Sequence, residues 1–209
     1  YQGEKADVKL PIPGHFSVEN ALTALGIVLQ LGMPLADAAK SMATATGVKG
    51  RVEVVPTDTD YTVLIDYAHS PDGVENVLKA VRGFAKGRVV ALFGCGGDRD
   101  RTKRPKMGRI AGQKADFVIV TSDNPRTEDP TRIINMVLEG VRSEKTEYVV
   151  IENRREAIRY ALNIAKKDDV VVLAGKGHEN YQEINGIKHP FDEKIIVAEI
   201  LEDMRCGRK

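Results

Sequence analysis

The stretch Asp123-Asn124-Pro125-Arg126 combines side chains that suit an amino-acid zwitterion. Arg126 offers a planar fork that can grip a carboxylate through two parallel hydrogen bonds, Asn124 carries donors and an acceptor, and Pro125 fixes a backbone angle between them. Together they can orient a ligand bearing both ammonium and carboxylate. The same residue types also make an ordinary turn, with Asn-Pro starting it and Thr127 or Asp129 capping the next helix. Just before the motif, Asp116-Phe117-Val118-Ile119-Val120-Thr121 is a β-branched apolar run bounded by turn formers. It predicts a buried strand over 117–121, with the motif at its carboxyl end.

The elements that must position this chemistry follow from the rest of the chain. From Arg51 onward strand and helix patterns alternate, which predicts an α/β fold: a Rossmann-like, mostly parallel sheet with helices on both faces. Strands are expected over 52–55, 62–65, 89–93, 117–121, 148–151 and 170–174, and helices over 71–85, 105–114, 130–139, 154–165 and 193–204. A small hairpin is expected over 180–189, because Asn185-Gly186 is the strongest two-residue turn signal. Ahead of this region, Leu10-Pro11-Ile12-Pro13 favours an extended segment. A helix is expected over 21–31, N-capped by Ser17, and a second over 35–45; Gly47 to Gly50 reads as a hinge-like break. The domain boundary is placed there, giving 1–50 and 51–209. The first fifty residues are too small and too helical for a domain alone and are expected to complete a sheet outside this chain.

In an open α/β sheet ligands bind outside the carboxyl ends of the strands, near the switch in strand order. Four polar loops fall at such ends: Asp66 to Pro71, Gly94 to Asp100, Asp123 to Arg126, and Gly175-Lys176-Gly177-His178-Glu179. Gly94, Gly96 and Gly97 do not match G-x-G-x-x-G, and Asp98 would face a pyrophosphate unfavourably, so a nicotinamide cofactor is not expected. Arg99 can supply a second grip on carboxylate beside Arg126, or be a surface arginine paired with Asp98 or Asp100. Asp66 can accept from ribose hydroxyls or merely cap the turn before Pro71, and His69 can contact a nucleotide or titrate near neutrality. Gly175 to Glu179 lacks G-x-x-x-x-G-K-[ST] and is no triphosphate cradle, but Glu179 can meet an ammonium. His178 reads as a structural group, with His15 and His189 weaker still as candidates.

Composition narrows the field. The chain has 209 residues, with 31 basic against 30 acidic and a formal net charge of +1, so neither nucleic acid nor an anionic membrane surface is called for. Cys95 and Cys206 stand far apart without metal-ligand spacing, which fits a reducing cytoplasm and predicts neither disulfide framework nor zinc site. No signal-peptide pattern opens the chain, and no apolar run nears the length of a bilayer span.

Taken in order, Asp66-Tyr67-Ala68-His69-Ser70-Pro71, Gly94 to Asp100, Lys103-Arg104-Pro105, Asp123 to Arg126 and Ala174 to Glu179 resemble the carboxyl-terminal domain of the Mur ligase family. The Asp-Asn-Pro-Arg signature is similar to that of its diaminopimelate-adding members. Gly14 to Asn20 resembles the end of the family's central ATP-binding domain, although Ser17 stands where the family usually has Asn. The resemblance implies an ATP-dependent amide ligase of peptidoglycan synthesis, serving cell-wall biogenesis and hence cell shape and division. It would add meso-diaminopimelate to UDP-N-acetylmuramoyl-L-alanyl-D-glutamate through an acyl phosphate, with ATP and Mg2+ required. By the same resemblance, Arg99, Asp123, Asn124, Pro125, Arg126, Gly175 and Glu179 form the diaminopimelate pocket, while Asn20, Arg51, Asp66 and His69 contact the nucleotide. No catalytic or metal-ligating residue is assigned within the chain. A cytoplasmic monomer is expected, and without a phosphate loop or uridine-binding domain this stretch alone is expected to be inactive. The alternatives are a lysine-adding Mur ligase, a folylpolyglutamate synthetase-like ligase, or a noncatalytic amino-acid or nucleotide binding module. Arg126 speaks against lysine, which lacks a distal carboxylate to satisfy it.

Overall fold

The computed structural model describes residues 1–10, 14–45 and 47–207. The chain divides into two compact units, Tyr1–Val48 and Lys49–Lys209. The extended segment expected about Pro11 to Pro13 lies outside the described residues.

The first unit contains two helices, α1 (His15–Gln30) and α2 (Leu35–Met42), sharing a small core of Leu25, Leu29 and Ala38. α1 starts earlier than expected, and Ser17 is not its cap. Gly14, at φ 100°, turns the chain into the helix, and the Ser17 N–H already donates to Gly14 O at 3.0 Å. Leu22, Ile27 and Leu31 remain exposed on this unit.

The second unit runs β1 (Glu53–Val55), β2 (Thr62–Asp66), α3 (Pro71–Arg82), β3 (Val89–Phe93), α4 (Lys103–Lys114), β4 (Phe117–Val120), α5 (Pro130–Val141), β5 (Glu147–Val150), α6 (Arg154–Ile164), β6 (Val170–Ala174), β7 (Tyr181–Ile184), β8 (Ile187–Pro190) and α7 (Glu193–Arg205). Six strands make one sheet in the order β1-β2-β6-β3-β4-β5, with β1 antiparallel to β2 and the other pairings parallel. β3 and β6 are buried along their whole length, as unbroken apolar runs between two helical layers must be. Val63, Ile65, Val90, Leu92, Val171 and Leu173 pack against Ile158, Leu162, Val197 and Ile200 of α6 and α7. The alternate residues face α3, α4 and α5 on the other side. α4 and α5 approach so closely that a Cβ on Gly108 would overlap Val137 O and one on Gly140 would overlap Pro105 O.

Local chemistry places the helix starts. Ser70 Oγ accepts from Gly73 N–H ahead of α3, with Pro71 at the first helical position, and Asp129, Asn153 and Asp192 cap α5, α6 and α7 in the same way. Of the two caps expected for α5, Thr127 and Asp129, it is Asp129 that serves. Gly50 sits at φ 71°, where a Cβ would overlap the Gly177 and His178 backbone.

Candidate functional site

β2, β6, β3 and β4 are neighbours, and their last residues align in register: Asp66 with Ala174, Ala174 with Phe93, Phe93 with Val120. The four polar loops therefore leave the sheet side by side along its carboxyl edge. Between them lies a cavity of about 260 Å³. Arg99, Asp123, Asn124, Arg126, Gly175 and Glu179 line it, and so does His69. Pro125 is buried behind the lining, Arg51 and Asp66 are not part of it, and Asn20 belongs to the first unit.

Arg126 is held by backbone as well as side chain. At φ 52° its N–H donates to Glu183 O at 3.1 Å and its carbonyl accepts from Asn185 N–H at 2.7 Å, so the β7–β8 hairpin clasps it from outside. Its Nη1 donates to Gly97 O at 2.8 Å and its Nε lies 3.3 Å from Glu183 Oε2, while Nη2 makes no hydrogen bond among the described residues. Nη2 is thus the nitrogen left to meet a carboxylate. Arg99 Nη1 donates to Asp98 O at 2.9 Å, and the acids beside it are engaged elsewhere: Asp98 takes the Thr127 N–H and hydroxyl, Asp100 those of Thr102. A surface ion pair is therefore not what holds Arg99. Glu179 Oε2 accepts from Asn124 Nδ2 at 2.8 Å. Two guanidiniums and a carboxylate on one small cavity complement a ligand carrying carboxylate and ammonium.

Three features under the rim were not singled out from sequence. Lys176, its side chain wholly buried, points its ammonium at Asp123, Asn124 and Glu179. Arg104, also fully buried, makes paired hydrogen bonds to Glu128, Nη1 to Oε2 at 3.0 Å and Nη2 to Oε1 at 2.8 Å, and donates to Gly96 O. Hydrogen bonding from Arg104 holds the Glu128 carboxyl down at about 2. Arg154 reaches Ala174 O at 2.9 Å and pairs with buried Glu193, so one guanidinium anchors the end of β6. The signal for Lys176 was its setting: Gly175 at φ 116° and Gly177 at φ 54° bend the loop so that the lysine turns inward. Lys103, a further cavity residue, donates to His69 O at 2.7 Å.

Asp66 serves its turn. Its two oxygens accept from Val52 N–H and Ala68 N–H, both at 2.8 Å, and burial pushes its carboxyl up despite them. The turn carries Tyr67, whose ring meets those of His69 and His178 at 4.6 and 5.0 Å, with Arg51 5.0 Å over its face. Cys95 is buried against Met107, and burial pushes its thiol up to about 12, which makes it no nucleophile at neutral pH. Among the described residues no group of three or more His, Cys, Asp and Glu is placed to hold a metal ion, and no helix is long and apolar enough to cross a membrane.

Residues 50–177 match the family described as Mur ligase, glutamate ligase domain. The chain belongs to the Mur ligases. A UDP-N-acetylmuramoyl-L-alanyl-D-glutamate--2,6-diaminopimelate ligase of Caldanaerobacter subterraneus subsp. tengcongensis is 53% identical over 202 residues, which is 97% of this chain and 42% of that protein. Ligase 1 of the same name from Clostridium acetobutylicum is 48% identical over 98% of this chain and 42% of its own length. A solved structure of such a diaminopimelate ligase superposes with a TM-score of 0.76 at 42% identity, covering 95% of this chain and 40% of that one. The chain thus spans about two fifths of the length of these Mur ligase relatives.

Proposed function

We propose that this chain is the carboxyl-terminal part of an ATP-dependent ligase that joins meso-diaminopimelate to UDP-N-acetylmuramoyl-L-alanyl-D-glutamate in peptidoglycan synthesis. In this reading residues 1–50 end the central ATP-binding domain and 51–209 form the carboxyl-terminal domain. The exposed Leu22, Ile27 and Leu31 support that division, since such side chains would be covered by the rest of a larger domain. The observation that carries the proposal is the convergence of Arg99, Asn124, Arg126, Gly175 and Glu179 on one cavity at the carboxyl edge of the sheet.

Nη2 of Arg126, with Arg99, would take the distal carboxylate of diaminopimelate, and Glu179 the distal ammonium. Asp123, Asn124, Pro125 and Gly175 would shape and orient that end. The attacking amine would then be presented outward, a contribution of positioning rather than of proton transfer. Glu183 already neutralises Arg126 in part, so lysine would not leave an orphaned charge; it would forfeit the hydrogen bonding that Nη2 offers. ATP would supply the phosphoryl group that activates the D-glutamyl carboxylate. Arg51 and His69 fit contact with a nucleotide at the edge of this domain, Asp66 acting through the turn that carries Tyr67 and His69, and Asn20 from the preceding domain. Among the described residues no group of three or more His, Cys, Asp and Glu is placed to hold a cation by itself, and the Mg2+ and the phosphates are assigned to the rest of the protein. A cytoplasmic monomer that binds no nucleic acid, acting in cell-wall biogenesis and thereby in cell shape and division, completes the proposal.

The test is product analysis with the full-length protein, ATP and the UDP-linked dipeptide, offering meso-diaminopimelate and L-lysine together. Incorporation of diaminopimelate by at least about a hundredfold over lysine is expected. Equal use of both would overturn the proposed specificity, and use of neither the proposed reaction.

A further inference from the structure

Lys176 lies at 0% exposure beneath the cavity, with its Nζ 3.0 Å from Asn124 Oδ1, 3.4 Å from Asp123 Oδ1 and 3.4 Å from Glu179 Oε2. The rings of Tyr181 and Phe191 close over it at 5.8 Å. A buried ammonium needs such partners, and these three are all cavity residues. Asn124 Oδ1 also accepts from Glu183 N–H at 2.9 Å, so two donors converge on that atom and fix which end of the amide is oxygen. The other end, Nδ2, is thereby turned to Glu179 Oε2 at 2.8 Å. Glu179 is held by that one oxygen, and among the described residues Oε1 has no hydrogen-bond partner at the cavity.

We infer that Lys176 is a positioning residue for amino-acid selection: with the Glu183 N–H it holds the Asn124 amide one way round, and it pins Glu179 by one oxygen so that the other is free for the ligand's ammonium. Without the lysine, Asn124 Oδ1 keeps only the Glu183 N–H to orient it, Asp123 and Glu179 lose the ammonium between them, and Glu179 is left with the Asn124 amide alone. The inference rests on the reading of Glu179 as the acceptor for the distal ammonium. It concerns how the pocket is held, since Lys176 itself does not touch the ligand.

The test uses the full-length protein, comparing wild type with Lys176→Met for the KM of meso-diaminopimelate, of ATP and of the UDP-linked dipeptide. The KM for diaminopimelate is expected to rise by on the order of tenfold or more, with the other two within about twofold. A parallel rise in all three KM values, or a fall in kcat with KM unmoved, would mean a merely structural role and overturn the inference. A wild type that does not ligate diaminopimelate would overturn the functional reading and this inference with it; a competent wild type with an unaffected variant would overturn this inference alone. Should Lys176→Met fail to fold, Lys176→Met/Glu179→Gln removes the ammonium together with one carboxylate it balances. A diaminopimelate KM higher than that of Glu179→Gln alone would support the role through Asn124, and an equal one would overturn it.

Discussion

Replacing Glu128 with glutamine tests whether the glycine-rich loop is held from beneath by charge. Arg104 is buried to 1% side-chain exposure and bonds both Glu128 oxygens, while Oε1 also takes the Asp98 N–H at 2.7 Å. Glu128→Gln leaves that guanidinium facing a neutral amide. Removing one partner of a buried pair costs about 3–5 kcal/mol. Glu128 keeps 14% of its side chain in solvent, and glutamine retains an acceptor, so about 2–3 kcal/mol is the expected loss. For a chain of this size that lowers Tm by roughly 5–10 °C at pH 7. The pH dependence has a definite sign. The folded carboxyl sits at about 2 against an ordinary 4.5, so its stabilisation is full above the ordinary value and is lost as pH falls through the folded one. Glutamine does not titrate there, so the gap between wild type and variant should narrow as pH falls from about 5 toward 2. Thermal unfolding of both proteins by circular dichroism at several pH values measures it. A Tm difference below about 2 °C at pH 7, or one that stays constant over that acid range, would refute the charge-held loop.

Other outcomes follow from close packing and buried charge. Gly140→Ala should destabilise by about 2–3 kcal/mol in denaturant titration, because its Cβ would overlap Pro105 O and crowd Arg109 N. Gly26→Ala, where a helical Cβ meets nothing within 4 Å, should stabilise α1 by about 0.5–1 kcal/mol in the same assay. Arg154→Met should cost about 3–5 kcal/mol, since it leaves Glu193 buried with no partner for either oxygen; wild-type stability in urea would contradict the pairing. The isolated chain should show no ATP-dependent ligation by a phosphate-release assay, with any diaminopimelate-dependent release counting against the proposed division of labour.

How much of this was legible in the sequence depended on the range of the interaction. The strands over 89–93 and 170–174 were readable to the residue, because each is a short unbroken apolar run that opens on valines and is ended by Gly. The hairpin about Asn185-Gly186 was equally local, and Asn185 and Gly186 do take positive φ of 49° and 77°. Ser17 misled because a good capping residue is not a cap when the chain can turn three residues earlier at Gly14. The grouping of Arg99, Asn124, Arg126 and Glu179 was legible through the rule that ligands sit at strand carboxyl ends, but their fixation was not. Arg104 meets Glu128 across 24 positions and Asn124 meets Glu179 across 55, and nothing in local pattern announces such pairs. Lys176 was missed for a physical reason too: lysines are almost never fully buried, so sequence alone sets it on the surface.

The most direct test of the pocket is amino-acid selectivity in Arg126→Ala. Nη2 of Arg126 is the group that would reward a distal carboxylate, so the ratio of kcat/KM for meso-diaminopimelate over L-lysine should fall by on the order of a hundredfold in the variant of the full-length protein. That loss should come from diaminopimelate, with lysine hardly affected. A ratio unchanged by the substitution would contradict the assignment of Arg126 to the ligand's carboxylate and leave it as a brace between Gly97 and the hairpin.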